Sequence, residues 1–221
     1  MGRLIAIEGL DGSGKQTQSA LLKETLAKAG HRVASIDFPR YGRTSAALCE
    51  AYLNGELGGS AGEVNAYAAS TLFAVDRYAS YLTEWKTAYE ESDFFVADRY
   101  VTSNAIHQCG KLPRGEWEGF VGWLYDFEFG KLGLPRPDRV FYLSMPVDVS
   151  EGLLSARYAG DESKKDIHER DDAYLRRSRK AAEWCCERLG WERVECVRDG
   201  RLRAIEEIHK EILGKAVSAH G

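Results

Sequence analysis

The chain has 221 residues, 44% of them hydrophobic and 29% charged, and carries a net charge of −4. That length accommodates one well-buried α/β domain and is short for two. The acidic balance excludes an electrostatic case for nucleic acid or an anionic membrane, and no apolar stretch approaches a membrane span, so a basic site has to be a local pocket.

The chain opens on Leu4 to Ile7, an apolar run too short for a helix and expected as a buried strand that leaves no room for a signal peptide. Gly9 follows, then four residues, then Gly14 and Lys15, with helix formers from Gln16. This is the spacing of a phosphate-cradling loop between strand and helix. Its glycines let backbone N–H groups turn inward around a polyphosphate, and the helix N-terminus adds partial positive charge. Lys15 supplies a point charge at the β/γ oxygens. Gly9, Leu10, Asp11, Gly12, Ser13, Gly14, Lys15, Gln16 and Thr17 are therefore expected around the phosphates of ATP. One position departs from the pattern. Gln16 stands where a Ser or Thr hydroxyl normally meets Mg²⁺, and Thr17 comes one place late; the Gln16 amide oxygen is a poorer direct magnesium ligand than that hydroxyl.

An amphipathic helix is expected over 15–29, with Leu21, Leu22 and Leu26 on one face. A second strand spans His31 to Phe38, and Thr44 or Ser45 caps a helix reaching about Leu53. After a glycine-rich connector, a long helical pattern runs from Glu63 to about Glu91 and projects Phe73, Asp76 and Arg77 from one side. Phe94 to Ala97 is a third strand, delivering Asp98 and Arg99 at its C-terminal end. An aromatic-rich helix over 114–130, a fourth strand over 139–144 and a helix over 147–157 follow. A polar surface loop then covers Tyr158 to His168. A helix over 171–188, a fifth strand over 193–197 and a helix from Leu202 to about Val217 complete the pattern. The five cysteines are odd in number without C-x-x-C spacing and read as reduced thiols of a cytoplasmic protein, and the five histidines form no zinc-like cluster.

Alternation of strand and helix predicts an α/β fold, a single domain over 1–221 built on a five-stranded parallel sheet with helices on both faces. Ligands of such sheets sit beyond the carboxyl ends of the strands, where the phosphate loop, Phe38 to Tyr41 and Asp98-Arg99 should meet. Each arginine alone would read as a salt bridge on the sheet rim. Arg40 and Arg99 together, facing a site that holds a polyphosphate, point to a second phosphate-bearing substrate, because guanidinium pairs bidentately with phosphate oxygens.

Four stretches carry a family resemblance: Glu8-Gly-Leu-Asp-Gly-Ser-Gly-Lys15, Phe38-Pro-Arg-Tyr41, Leu72-Phe-Ala-Val-Asp-Arg77 and Asp98-Arg-Tyr-Val-Thr-Ser-Asn-Ala105. Together they closely resemble the thymidylate kinases of the bacterial kind, over nearly the whole chain. The resemblance implies a P-loop nucleoside monophosphate kinase fold, ATP and Mg²⁺ as cofactors, and phosphoryl transfer to dTMP. It implies a dTMP site of Asp11, Phe38, Pro39, Arg40, Tyr41, Phe73, Arg77, Arg99, Ser103, Asn104 and His107. In that site Phe73 stacks on thymine, while Arg77 and Asn104 reach the base edge. His107 stands where several relatives place a tyrosine against C2′ of the sugar. The segment at about 157–169 resembles the family's lid, with Arg157 on adenine, Lys164 or Lys165 as the lid cation, and Asp166 and Glu169 as acids near the metal. Lys15, Asp11, Arg40, Asp98, Arg99 and Lys165 are the residues expected to carry catalysis, with Asp11 and Glu169 on the metal. Homodimerisation through the helices at 63–91 and 114–130 is expected likewise. A kinase for another nucleoside monophosphate or a deoxynucleoside, and a non-catalytic ATP-binding switch, are the competing readings.

Overall fold

The computed structural model describes residues 2–157, 161, 166–168 and 171–218, with Arg157 described by its backbone alone. Strand β1 (Arg3–Gly9) sits at the centre of a five-stranded sheet. The order is β2 (Val33–Asp37), β3 (Phe94–Asp98), β1, β4 (Arg139–Ser144) and β5 (Glu192–Glu195), and every neighbouring pair is parallel.

From Leu4 onward β1 is buried at every position, which is what a strand covered on both faces requires. Its side chains part by alternation. Leu4 and Ala6 join Phe95, Ala97, Val140 and Tyr142 on one face, while Ile5 and Ile7 join Phe94, Val96, Phe141 and Leu143 on the other. Leu22 and Leu26 of α1 (Lys15–Lys28), with Ile208 and Ile212 of α9 (Ile205–Val217), close the second face. The first face is closed by α5 (Val101–Cys109), α6 (Trp117–Tyr125) and α8 (Asp172–Leu189), through Val101, Ile106, Phe120, Leu124 and Leu175. The helix after β1 and the helix after β3 thus leave neighbouring strands for opposite faces. That divergence opens a crevice at the strands' carboxyl ends.

The sequence-based element pattern needs four corrections. The 63–91 helix is α3 (Ala66–Ser80), capped by the Asn65 side chain, then a wider turn at Tyr81–Trp85 and a short α4 (Lys86–Glu91). Neither Thr44 nor Ser45 caps α2 (Ala47–Leu53), because the Ser45 hydroxyl donates to Asp76 Oδ1 at 2.6 Å instead. Helix α5, which follows Arg99 and Tyr100, has no counterpart in the expected elements. Finally the fifth strand ends at Glu195, and Val197–Arg198 (β6) folds back on Arg201–Leu202 (β7) as a small hairpin. The remaining helix, α7 (Val147–Arg157), lies where expected.

Candidate active site

The phosphate loop is shaped by its glycines. Gly12 has φ +77, and a Cβ there would lie 2.6 Å from the Ser150 carbonyl oxygen. Gly14, at φ +87, is the N-cap of α1. Lys15 curls back into the loop, donating to the Leu10 carbonyl at 2.8 Å and reaching Asp11 Oδ1 at 3.4 Å. The same Asp11 oxygen accepts from Arg99 Nη2. Burial pushes the Asp11 carboxyl up, but the Arg99 and Lys15 charges override it and hold the group well below the usual carboxylate range. Burial, reinforced by Arg99, brings the Lys15 ammonium down.

Arg99 is aimed by its backbone. Its φ of +64 is a left-handed conformation that L side chains rarely adopt, at a cost on the order of 1–3 kcal/mol. Glu8, wholly buried, holds that turn. Its carboxylate accepts from the Tyr100 N–H at 2.9 Å, Thr102 Oγ1 at 2.6 Å and Ser103 Oγ at 2.8 Å. Burial raises the Glu8 carboxyl, against these hydrogen bonds and the Arg99 charge. The Arg99 Nη1 donates to Ser103 Oγ at 3.2 Å and to His107 Nε2 at 3.1 Å. A guanidinium only donates, so His107 Nε2 is a lone-pair acceptor and the neutral ring carries its proton on Nδ1. Burial, with the Arg99 charge, keeps that imidazole well below its ordinary pKa.

These groups face a cavity of about 910 Å³ at the carboxyl ends of the strands. Asp11 to Thr17 are in its lining. So are Phe38, Pro39, Tyr41, Phe73, Arg77, Asp98, Arg99, Ser103, Asn104 and His107. Gly9 and Leu10 are not in the lining, and Asp98 is, with its carboxyl raised by burial. Arg40 stands outside the lining. Its guanidinium donates to Asp37 at 2.8 Å and to Glu84 at 2.8 Å, while its backbone N–H is tied to Asp76. The Arg157 side chain, Lys164, Lys165 and Glu169 lie outside the described residues.

Several site residues escape a reading of the sequence. Glu128 is fully buried and pairs with Arg77 through two bonds of 2.6 Å, and Asn104 Nδ2 donates to it at 3.4 Å. It therefore fixes both groups assigned to the base edge. An acid set among Trp123, Leu124, Phe127 and Phe129 is the signal that could have found it. Leu202, Arg203, Ile205 and Ile208, with Met145 and Leu153, also line the cavity. Gln18 steadies that wall by donating to the Ile205 carbonyl at 3.0 Å.

A family model described as thymidylate kinase matches residues 7–212. The chain belongs to the thymidylate kinase family. It is a nucleoside monophosphate kinase whose reaction is the ATP-dependent phosphorylation of dTMP to dTDP. Thymidylate kinase of Mycobacterium tuberculosis is 37% identical over 170 residues, covering 76% of this chain and 78% of that protein. The human thymidylate kinase is 31% identical over 145 residues, 65% of this chain and 61% of the human one. A probable thymidylate kinase of Thermococcus gammatolerans is 28% identical over 216 residues, 97% of this chain and 95% of its own length. The family membership expected from the four motif stretches stands, and so does the α/β fold.

Proposed function

We propose that the two nucleotides of this kinase lie end to end in the one cavity, meeting at Asp11. The donor phosphates sit in the loop from Gly9 to Thr17, and the adenine lies toward Leu202 and Ile205, with Arg157 of the lid against it. In the acceptor arm the thymine stacks on Phe73, Arg77 and Asn104 meet its edge, and His107 borders the sugar. Phe38, Pro39, Tyr41 and Ser103 shape the remaining wall. Arg99 grips the acceptor phosphate. Arg40 joins it by exchanging Asp37 and Glu84 for phosphate oxygens.

The observation that carries this reading is the run from Lys15 through the shared Asp11 oxygen to Arg99, all three in the cavity lining. It gives one cation to each side of a transfer. The attacking atom is an acceptor-phosphate oxygen already ionised at neutral pH, so no strong general base is required. Catalysis is then positioning and charge neutralisation by Lys15, Arg99 and the lid cation Lys165. Asp11 and Asp98 both border the phosphate end, a donor set that fits an ion held mainly by phosphates and water, with Glu169 joining from the lid. When bound there, Mg²⁺ supplies charge neutralisation at the phosphate oxygens.

Two further readings accompany this one. Val75, Tyr78 and Leu82 form an exposed apolar stripe along the 63–91 helical stretch, which supports a homodimer through that face. Five unpaired cysteines support a cytoplasmic location, and among the described residues no helix is long and apolar enough to cross a membrane.

Coupled assay of ADP release tests the cavity assignment. Arg99→Met should lower kcat/KM for dTMP by about 10²-fold or more, the order found when a phosphate-stabilising donor is lost. Arg40→Met should cost several-fold less, because that side chain starts outside the cavity. Equal losses, or no loss in Arg99→Met, would refute the assignment.

A further inference from the structure

We propose that Lys111 and Tyr52 are positioning residues for the acceptor arm, jointly setting the Phe73 ring and holding His168 flat against His107. The inference rests on the acceptor reading given above and concerns groups that neither the motifs nor the transfer step uses. Lys111, just past the end of α5, donates from Nζ to Tyr52 Oη at 2.8 Å and to the Val64 carbonyl at 2.9 Å. Its ammonium also lies 5.0 Å from the centre of the Tyr52 ring.

An ammonium has no lone pair, so the Tyr52 oxygen receives the Lys111 bond. That leaves the phenol hydrogen to the 2.8 Å contact with His168 Nε2, with Tyr52 as donor in the proposed network. His168 is then neutral, with its own proton on Nδ1. The His168 ring stacks on that of His107, centroids 5.5 Å apart and planes 12° from parallel. His107 in turn accepts from Arg99. On its other side Tyr52 stands edge-on to Phe73, with centroids 5.9 Å apart and an angle of 88°. One phenol therefore supports the ring assigned to the base and the histidine wall assigned to the sugar.

The backbone supports the same arrangement. The Ile167 N–H donates to the Leu53 carbonyl at 3.2 Å, and Ile167 packs with Tyr52, Leu53 and Ala69. The segment at 166–168 is thus docked on the end of α2 at the point where Tyr52 leaves it.

The network is responsive near neutrality. Burial brings the Lys111 ammonium down to about 7. The charged and titratable groups around the network are Tyr52 on α2, His107 on α5, His168 and Asp166 on the docked segment, Tyr174 on α8, Arg99 after β3 and Asp11 in the phosphate loop. When Lys111 loses its proton it gains a lone pair. The Tyr52 hydrogen then has a second acceptor, and the hold on His168 loosens.

Steady-state kinetics of the full chain from pH 6 to 8.5, with ¹⁵N NMR of the histidine rings, tests this. Tyr52→Phe and Lys111→Met should each raise KM for dTMP roughly five- to tenfold, the fold-change of one lost hydrogen bond, with kcat and the KM for ATP within about twofold. In the unmodified protein KM for dTMP should rise as pH passes about 7, and Lys111→Met should flatten that rise. The His168 Nε2 signal should be that of a hydrogen-bonded acceptor at pH 6 and weaken by pH 8.5, a readout that needs no variant to fold. An unchanged dTMP KM in both variants, losses equal for dTMP and ATP, or a His168 signal constant across the range would overturn the proposal. Phe73→Ala separates the levels. If it too leaves dTMP KM unchanged, the acceptor reading falls and takes this inference with it; if it alone raises KM, only the inference falls.

Discussion

Glu8 occupies a position at which an acid is costly, in the middle of an apolar strand with no exposure at all. Three donors converge on it, one from the turn that follows β3 and two from the first turn of α5, and the turn after β3 carries Arg99 in its left-handed conformation. Removing the carboxylate strands those donors, each at about 1–3 kcal/mol. Glu8→Leu is therefore expected to lower the unfolding midpoint and to reduce kcat more than tenfold, as Arg99 loses its aim. Glu8→Gln keeps one acceptor oxygen and should do both to a lesser degree, which thermal unfolding and ADP-release assays will rank. Lys15 and Gln16 make a second contrast. Lys15 is buried against the loop, whereas Gln16 is exposed at the start of α1. Lys15→Ala should cost about 10²-fold in kcat and Gln16→Ala only a few-fold; similar losses would show that the glutamine amide, too, is used on the metal or the phosphates.

At the level of elements, the legible parts were those whose signal is local. The phosphate loop, the strands around Leu4, Phe94 and Val140 and the helix at 171–188 each announce themselves within a dozen residues by spacing, burial pattern or cap. Less legible was whatever depends on a distant partner. Ser45 has the chemistry of a cap, but Asp76, on another helix, offers its hydroxyl a charged acceptor. Arg40 was read as a phosphate ligand because of where it follows its strand; Glu84, within the distant turn at 81–85, could not be seen from there. Glu128 and Tyr52 matter through side chains that approach them from elsewhere in the fold. The β6–β7 hairpin was legible and overlooked. Asp199 and Gly200, at φ +52 and +72, form the two-residue Asp-Gly turn that favours such hairpins. Gly200→Val is expected to cost about 1–2 kcal/mol, from forcing a β-branched residue into a left-handed conformation. It should also raise the KM for ATP, since Leu202 and Arg203 line the part of the cavity proposed for the donor. Asp199→Asn should do neither, and urea titration with ATP kinetics will show it.

For the molecule as a whole, the buried histidines set an acid limit. His168 titrates at about 3 in the folded chain, and His107 well below its ordinary value. Between those pKa values and about 6.5 the unfolded chain binds protons that the folded one refuses, so stability rises with pH through that window and is lost as pH falls through it. The slope reaches about 1.4 kcal/mol per pH unit for each histidine. Asp11 acts with the same sign lower down, since its depressed pKa contributes stability that is present above the ordinary carboxylate range and lost beneath it. Glu8, with its pKa raised, works the other way. The expected result is an unfolding midpoint that drops steadily from pH 6.5 to 4.5, and a midpoint flat over that interval would contradict neutral burial of the pair.

In the proposed arrangement, the single Asp11 oxygen that Lys15 and Arg99 share couples the two substrate affinities thermodynamically. A polyphosphate that draws Lys15 away leaves the carboxylate wholly to Arg99, and an acceptor that takes Arg99 leaves it wholly to Lys15. Neither guest thus meets the same competitor alone as it does in company, and reciprocity requires that whatever ATP does to the affinity for dTMP, dTMP does equally to the affinity for ATP.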